Sequence, residues 1–363
     1  MSGIWSYVLR RLLFMIPTLI GIVTVAFLVI QFVPGGPVDV IASRMSGEAA
    51  SATGNFDGSS AASAVANANV AGSTNSGLPP EVVKQLEKLY GFDKPAHERY
   101  VKMLKDFATL DLGTSYYKDE KVIDLILSKM PVSISLGLWT ILLTYLISIP
   151  LGIRKAVRAG TSFDNWSSFL IIVGYAIPAF LFAIIMVVLF AGGNFWNIFP
   201  SRGLTSENFD DLTTLGKIGD YFWHITLPVL AISIGSFANL TMLCKNSTLD
   251  EINKQYVTTA RAKGLGETQV LYGHVFRNAM MIVVAGFPHA FITVLFASSL
   301  LIEVIFSLDG IGLLSFEAAM NRDYPVMLGS LFMFSLLGLI ANLLGDICYV
   351  LVDPRIDFKR RDV

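Results

Sequence analysis

Six uncharged apolar stretches govern what this chain can fold into. Lysine, arginine, aspartate and glutamate are all absent from Leu12 to Val33, Val132 to Ile153, Trp166 to Ser201, Tyr221 to Cys244, Asn278 to Ile302 and Tyr324 to Gly345. Each run exceeds the roughly 18–20 residues that cross a hydrocarbon core of about 30 Å. Lipid offers no partner to a backbone donor or acceptor, so such segments must bond internally and are expected as helices. The fold class that follows is an all-α polytopic membrane protein with six transmembrane helices.

Composition agrees with that reading and excludes others. Hydrophobic residues make up 53% of the chain, charged residues only 15%, and the mean hydropathy is +0.60. Soluble chains carry about 25% charged residues. A net charge of -1 argues against nucleic acid as a partner. Cys244 and Cys348 fall in or beside apolar runs and have no metal-ligand spacing, so they read as reduced apolar thiols. Arg10 and Arg11 precede the first run as in a signal sequence, but its 22 residues exceed the roughly 7–15 of a signal-peptide core, and no small-x-small cleavage site follows. It reads as an uncleaved first helix with a cytoplasmic Arg-Arg anchor.

Flanking charge sets the expected orientation. Basic residues follow span two (Arg154, Lys155, Arg158) and span four (Lys245, Lys254, Arg261, Lys263, Arg277), and recur in the tail (Arg355, Lys359, Arg360, Arg361). Acidic residues follow span three (Glu207, Asp210, Asp211, Asp220) and span five (Glu303, Asp309, Glu317, Asp323). Both termini are therefore expected in the cytoplasm.

The implied division is residues 1–33 as cytoplasmic N-terminus and first helix, 34–130 as an external loop or subdomain, 131–352 as a five-helix core, and 353–363 as a cytoplasmic tail. Residues 46–77 are dominated by Ser, Ala, Gly, Asn, Thr and Val and contain no Lys or Arg, so they cannot bury enough apolar surface to form a core. Beyond them Pro79 and Pro80 open a helical pattern of Val82, Val83, Leu86 and Leu89 that ends at Gly91. Tyr100, Met103, Leu104 and Phe107 repeat at helix spacing, and Val122, Ile123, Leu125 and Ile126 lead towards Pro131 and span two. This predicts a small external helical subdomain between helices 1 and 2.

The cytoplasmic loop 245–279 is the most organised gap. Thr248 and Glu251 have capping-box spacing, which predicts a helix start. Leu249, Ile252, Tyr256 and Ala260 then share one face, Arg261 and Lys263 occupy the last turn, and Gly264 follows as a C-cap. After Gly266 a second short helix is expected, with Val270, Leu271, His274 and Val275 on one side. Helix, glycine bend, helix, with an apolar face and a basic rim, fits two readings: a segment lying on its own bundle or the lipid headgroups, or a docking surface for a cytoplasmic partner.

The run Tyr256-Val-Thr-Thr-Ala-Arg-Ala-Lys-Gly264 with His274-Val-Phe-Arg-Asn-Ala279 resembles the inner-membrane permease signature of ABC importers, in the form found in dipeptide and oligopeptide permeases. The general pattern opens Glu-Ala-Ala; here Thr258, Thr259 and Ala260 stand in those places, a departure common in the peptide branch. The resemblance extends over nearly the whole chain: Pro34-Gly-Gly-Pro37, Tyr90-Gly-Phe-Asp-Lys-Pro95, Asp111-Leu-Gly-Thr-Ser115, Glu303-Val-Ile-Phe-Ser307, Gly310-Ile-Gly312, Arg322-Asp-Tyr-Pro325, Asp346-Ile-Cys-Tyr349 and Asp353-Pro-Arg355. The Ser/Ala/Gly-rich insertion, Leu151-Gly-Ile-Arg-Lys-Ala156 and Gly174-Tyr-Ala-Ile-Pro-Ala-Phe180 point to one branch of that family. The resemblance implies a permease of the bacterial inner membrane that takes up oligopeptides, extending to microcin C-type peptide-nucleotides. It implies four kinds of contact: a homologous second permease, a cytoplasmic ABC ATPase of one dual-domain chain, a periplasmic substrate-binding protein, and membrane lipid. It also implies that Tyr256, Thr259, Ala260, Arg261, Lys263, Gly264, His274 and Arg277 couple this chain to the ATPase.

No Gly-x-x-x-x-Gly-Lys-Ser/Thr run occurs, so no cofactor is expected on this chain, and ATP and Mg belong to the partner. His289 sits mid-span beside Pro288 and is a candidate for the translocation path or a neutral helix–helix partner. Asp346, near the cytoplasmic end of span six, is expected to have a structural partner such as a basic residue of an adjacent loop; Asp353 and Arg355 are grouped with it as structural membrane-end residues. Trp5, Trp166 and Trp223 read as interface anchors, and Gly137, Gly174 and Gly235 as points of close helix approach. Two other function classes compete. An intramembrane enzyme needs a nucleophile–base pair or metal ligands in its spans, and His289 is the one histidine inside a span core; His97, His224 and His274 lie in loops or at an end, and no His-Glu-x-x-His occurs. A stand-alone channel or receptor would work without an ATPase, which the docking loop argues against.

Overall fold

The computed structural model describes residues 2–32, 93–193, 195–297 and 300–352. Among them the long elements are all helices: α1 Ser2–Phe32, α2 Ala96–Ala108, α3 Val122–Val157, α4 Ser162–Ala176, α5 Ala179–Phe190, α6 Thr214–Ile252, α7 Gln255–Ala262, α8 Glu267–Val270, α9 Phe276–Ala279, α10 Met281–Ala297, α11 Leu300–Ile305, α12 Ile311–Asn321 and α13 Tyr324–Val352. Five of the described helical stretches are long and apolar enough to cross a membrane, or six when α4 and α5 count as one bent span. The Pro34–Pro37 exit, the 46–77 insertion, the helix expected from Pro79 to Gly91, Asp353 and Arg355 lie outside the described residues. His289 is carried by α10, but its side chain is outside the description.

The third span is not straight. α4 and α5 meet at 95° around Ile177–Pro178. Pro178 disfavours helical backbone at the residue before it, and Ile177 is extended, with φ -85° and ψ 120°. Conversely, α3 and α6 overrun their apolar stretches. At 39 residues α6 is about 58 Å long, roughly twice the hydrocarbon thickness.

The chain divides into two compact units. One comprises Met1–Arg11, Met130–Leu313 and Leu337–Val363. Its core joins α3, α5, α6 and α11 through Leu136, Ile225, Leu227, Ile302 and Phe306. Close approach of α3 and α6 depends on Gly152, whose added Cβ would stand 2.5 Å from Cys244 Cβ and 2.8 Å from Thr241 O. Of the glycines expected in this role, Gly174 does face Ile234 at 3.4 Å, whereas Gly235 has nothing within 4 Å.

Acidic residues counted as loop charges prove to be internal acceptors. Glu303 is fully buried and takes hydrogen bonds from Ser133 Oγ (3.3 Å) and Leu313 N (2.7 Å), which folds the segment between α11 and α12 around it. Asp220 accepts from Ser206 N at 2.9 Å and from the Ser206 hydroxyl. His224, expected at a span end, is buried inside α6 because that helix begins at Thr214; its Nδ1 lies 2.8 Å from Asp220 O. Asp346 does have its basic partner, but on α1 rather than in an adjacent loop: Arg11 at 2.9 Å, joined by the Tyr7 hydroxyl at 3.0 Å.

The second unit comprises Leu12–Lys129 and Leu314–Leu336. The helix expected from Tyr100 to Phe107 is α2. It packs on α1 through Tyr100 and Phe27 (ring centroids 5.4 Å) and on α13 through Phe107 and Phe332 (5.1 Å). The Asp111–Ser115 turn bonds to Asp323, which accepts from Ser115 Oγ (2.5 Å) and Tyr116 N (3.2 Å). Burial raises the pKa of this carboxyl above its ordinary value, against the pull of those donors.

Candidate functional site

The segment between α6 and α10 begins differently from its expected form. Thr248 does not start a helix. Nothing between Ser236 and Glu251 breaks helical bonding, so α6 runs on through Thr248 to Ile252. The Thr248 hydroxyl is buried without a hydrogen-bond partner among the described residues, so it caps nothing there. The break comes at Asn253–Lys254, where Lys254 turns extended (φ -79°, ψ 151°) and α7 begins. Glu251, on the last turn of α6, spans that break: it pairs with Lys254 and accepts from the Tyr256 hydroxyl at 2.6 Å. Burial and this bond to a carboxylate together raise the Tyr256 pKa, holding the phenol protonated.

α7 ends as its glycine predicts. Gly264 N donates to Arg261 O (2.9 Å) and Leu265 N to Ala260 O (3.3 Å), the paired bonds that close a helix on a left-handed residue. Gly264 supplies that residue at φ +82°. An added Cβ would meet nothing within 4 Å, so the requirement for glycine is conformational rather than steric. Across the bend Arg261 grips Glu267 through two bonds of 2.9 and 3.0 Å.

Beyond the bend the helix is not uniformly α. After α8, Leu271–Val275 form a π turn before α9. The extra residue in that turn puts Val270 and Val275, five apart, on the same side. Both are 1% exposed and pack with Val257 and Ala260 into a small core of the loop's own, flanked by Ile252, Tyr256 and Leu271. The π turn also corrects the expected helix face: His274, four residues after Val270, faces outward. Ser247 Oγ donates to Ala279 O at 2.7 Å and ties the end of the loop back to α6.

The eight candidate coupling residues therefore separate into two groups. Tyr256 and Ala260 lie inside the loop's own packing, not on an outward apolar face. Thr259, Arg261, Lys263, Gly264, His274 and Arg277 are exposed. The spacing of Leu249, Ile252, Tyr256 and Ala260 located the buried face. It did not single out Val257, which is fully buried at the centre of the cluster.

Sequence reading also missed the polar cluster at the foot of this site. Lys155 is fully buried. Its ammonium lies 3.0 Å from Asp164 Oδ1 and donates to Asp164 O, Ser167 Oγ and Ser168 Oγ at 2.9, 2.7 and 2.8 Å. Lys245 Nζ stands 2.8 Å from both carboxylate oxygens of Asp164. Both lysines had been read as loop charges. The signal for their role was Asp164 at the edge of an apolar run, since a buried carboxylate demands a cation.

Residues 148–358 match the family described as binding-protein-dependent transport system inner membrane component. The chain is 54% identical over 364 residues to the peptidoglycan transport system permease protein YejB of Agrobacterium fabrum, covering 99% of this chain and all of the relative. It is 56% identical over 363 residues to the inner membrane ABC transporter permease protein YejB of Escherichia coli, covering 98% and 100%. The oligopeptide transport system permease protein AppB of Bacillus subtilis is 30% identical over 358 residues, covering 97% and 99%. Among solved structures, a chain of the inward-facing MetNI methionine ABC transporter aligns at a TM-score of 0.49 and 16% identity, covering 63% of this chain and 97% of that one.

Proposed function

Because the chain belongs to the binding-protein-dependent transport system inner membrane component family, we propose that it forms half of the translocation path of an ATP-driven peptide importer and passes the ATPase cycle to that path through the loop 245–279. It is an ABC permease rather than an enzyme. ATP and Mg act on a partner ATPase of one dual-domain chain. A homologous second permease completes the path, and a periplasmic binding protein delivers the substrate. Both termini and the coupling loop lie in the cytoplasm, as the basic flanks Arg154, Arg158, Arg261 and Lys263 favour.

The substrates are oligopeptides and molecules that carry a peptide, microcin C-type peptide-nucleotides among them. The names of the relatives, oligopeptide transport for AppB and peptidoglycan transport for the Agrobacterium protein, support a peptide-bearing cargo.

The observation that carries the reading is the loop's private core. Val257, Ala260, Val270 and Val275 make it a rigid body, and Ser247 fastens it to α6. A lever of that kind transmits a push rather than absorbing it. A segment that merely lay on headgroups would need no core of its own.

Purification from native membranes should recover a second permease chain and an ATPase, and loaded binding protein should stimulate ATP hydrolysis by the complex. Recovery of this chain alone in an active form overturns the proposal.

A further inference from the structure

Midway along the same helices the polar groups behave in the opposite way. A cavity of about 330 Å³ opens between α3, α6 and α10. That is at the lower end of the roughly 300–1,000 Å³ of small-molecule sites. Most of its wall is aliphatic, Ile141, Leu240, Leu243 and Ile282 among it; Thr144 and Tyr145 of α3 and Ser236 and Asn239 of α6 supply its polar groups, and Gly286 of α10 leaves room on the third side.

None of the four polar side chains has a hydrogen-bond partner among the described residues. Thr144 is the sharpest case. It is only 3% exposed and its hydroxyl is unbonded, although a helical threonine can usually turn its hydroxyl to a carbonyl one turn back. Thr226 does so to Phe222 O at 2.6 Å and Ser233 to Val229 O at 2.7 Å, while the buried hydroxyls of Thr140, Thr241 and Thr248 share the condition of Thr144 among the described residues. An unmade hydrogen bond at a buried site costs about 1–3 kcal/mol. Thr144 bears that cost in full, whereas Tyr145 and Ser236 are half-buried and Asn239 is exposed, so these three stand open to whatever fills the space.

All four are uncharged. Hydroxyl, phenol and carboxamide each donate and accept. The backbone of an extended peptide presents the same mixture at every residue, whatever its side chains. A fixed charge in this wall would hold cargo of one sign and repel the other, and would be costly at mid-membrane depth. Neutral groups bind weakly enough to let go, which a conduction site requires.

We propose that this cavity is a station on the translocation path that holds peptide backbone through Thr144, Tyr145, Ser236 and Asn239 and reads no side chains. The proposal rests on the permease reading and adds to it the chemistry of recognition inside the membrane.

The test uses the assembled complex in proteoliposomes, with its binding protein and a tryptic digest of casein as cargo. Asn239→Cys should be modified by a hydrophilic thiol reagent at least about tenfold faster than Leu230→Cys, which is exposed on α6 away from the cavity, and the digest should protect it. Unsubstituted protein gives the baseline from Cys244 and Cys348. Asn239→Leu with Thr144→Val should lower accumulation of the digest peptides about tenfold, evenly across basic, neutral and acidic peptides when each is quantified by mass spectrometry. Asn239→Ser should restore most of it. Stimulation of ATP hydrolysis by loaded binding protein should persist in every variant.

Slow modification of Asn239→Cys, modification without protection, or a loss confined to one charge class overturns the station. Absence of stimulation and of uptake in the unsubstituted complex would instead overturn the permease reading beneath it.

Discussion

One helix, α6, borders two regions that treat polar groups in opposite ways. At its C-terminal end Lys245, Ser247, Glu251 and the loop residues Lys254, Tyr256 and Arg261 find partners within the chain, Thr248 being the exception. Halfway along, Ser236 and Asn239 find none among the described residues, and neither do Thr144 and Tyr145 across the gap. Exposure accounts for Asn239 but not for Thr144, which is as deeply buried as Asp164. Groups that bond within the chain stiffen it. Groups left open are available to a visitor. The first region suits movement as one piece, and the second, on the proposed reading, suits the passage of cargo.

The largest effect should come from removing the one anion that holds the foot of the lever together. Asp164→Ala strands two cations, Lys155 fully buried and Lys245 mostly so. Breaking a buried ion pair from one side costs about 3–5 kcal/mol. Thermal unfolding of the purified complex should shift accordingly, and Lys155→Met should shift it less, because Asp164 then keeps Lys245. Equal, small shifts for both would mean that the cluster is hydrated and that α3, α4 and α6 are joined by packing alone.

That cluster also shows where sequence reading stops. The six spans were legible because lipid imposes one rule on every residue of a run. The glycine bend was legible because its requirements are local: Gly264 needs only its own φ, and its two closing bonds reach no further than Ala260. Lys155 and Asp164 meet across a short turn, but Lys245 joins them from α6, which packs closely on α3 at Gly152, and no spacing along the chain records that crossing. Thr248 misled for a related reason. Capping-box spacing identifies a possible start, but a helix already under way does not stop for it. His274 was placed on the wrong face because an α period was assumed where Leu271–Val275 make a π turn.

Ala260→Asp tests whether the loop's core makes it rigid. Ala260 packs against Val257, Val270 and Val275, so the change buries a carboxylate without a partner, at a cost of about 2–3 kcal/mol. The loop should loosen while the membrane helices stay intact. Peptide uptake and ATPase co-purification should both fall sharply, with expression and insertion unchanged. Normal coupling in this variant would show that a soft loop suffices, and the contrast with the cavity would lose its meaning.

Gly264→Val should come next. No atom lies within 4 Å of the new Cβ, so the penalty is the left-handed backbone itself, about 1–2 kcal/mol and more for a branched side chain. Gly264→Asn tolerates that backbone and should keep most of the uptake that valine loses. If asparagine and valine fail alike, glycine is required because something outside the chain comes close to it, and the docking surface passes directly over the bend.

The smallest effect on stability, and the most discriminating, concerns Arg261 and Glu267. Their paired bonds of 2.9 and 3.0 Å cross the bend, but both side chains are exposed, so the pair contributes at most about 1 kcal/mol. Arg261→Ala should barely change unfolding. Its effect on coupling can arise in two ways: the arginine staples α7 to α8, or it presents charge to the ATPase. Exchanging the two residues, Arg261→Glu with Glu267→Arg, separates them. The exchange restores the intra-loop pair and reverses the charge at each position seen from outside. A stapling role predicts that the exchange recovers the ATP-driven uptake lost in Arg261→Ala. A docking role predicts that uptake and ATPase co-purification stay low although the loop is closed. The private core already holds the bend without help from the pair, so the exchanged protein is expected to stay uncoupled.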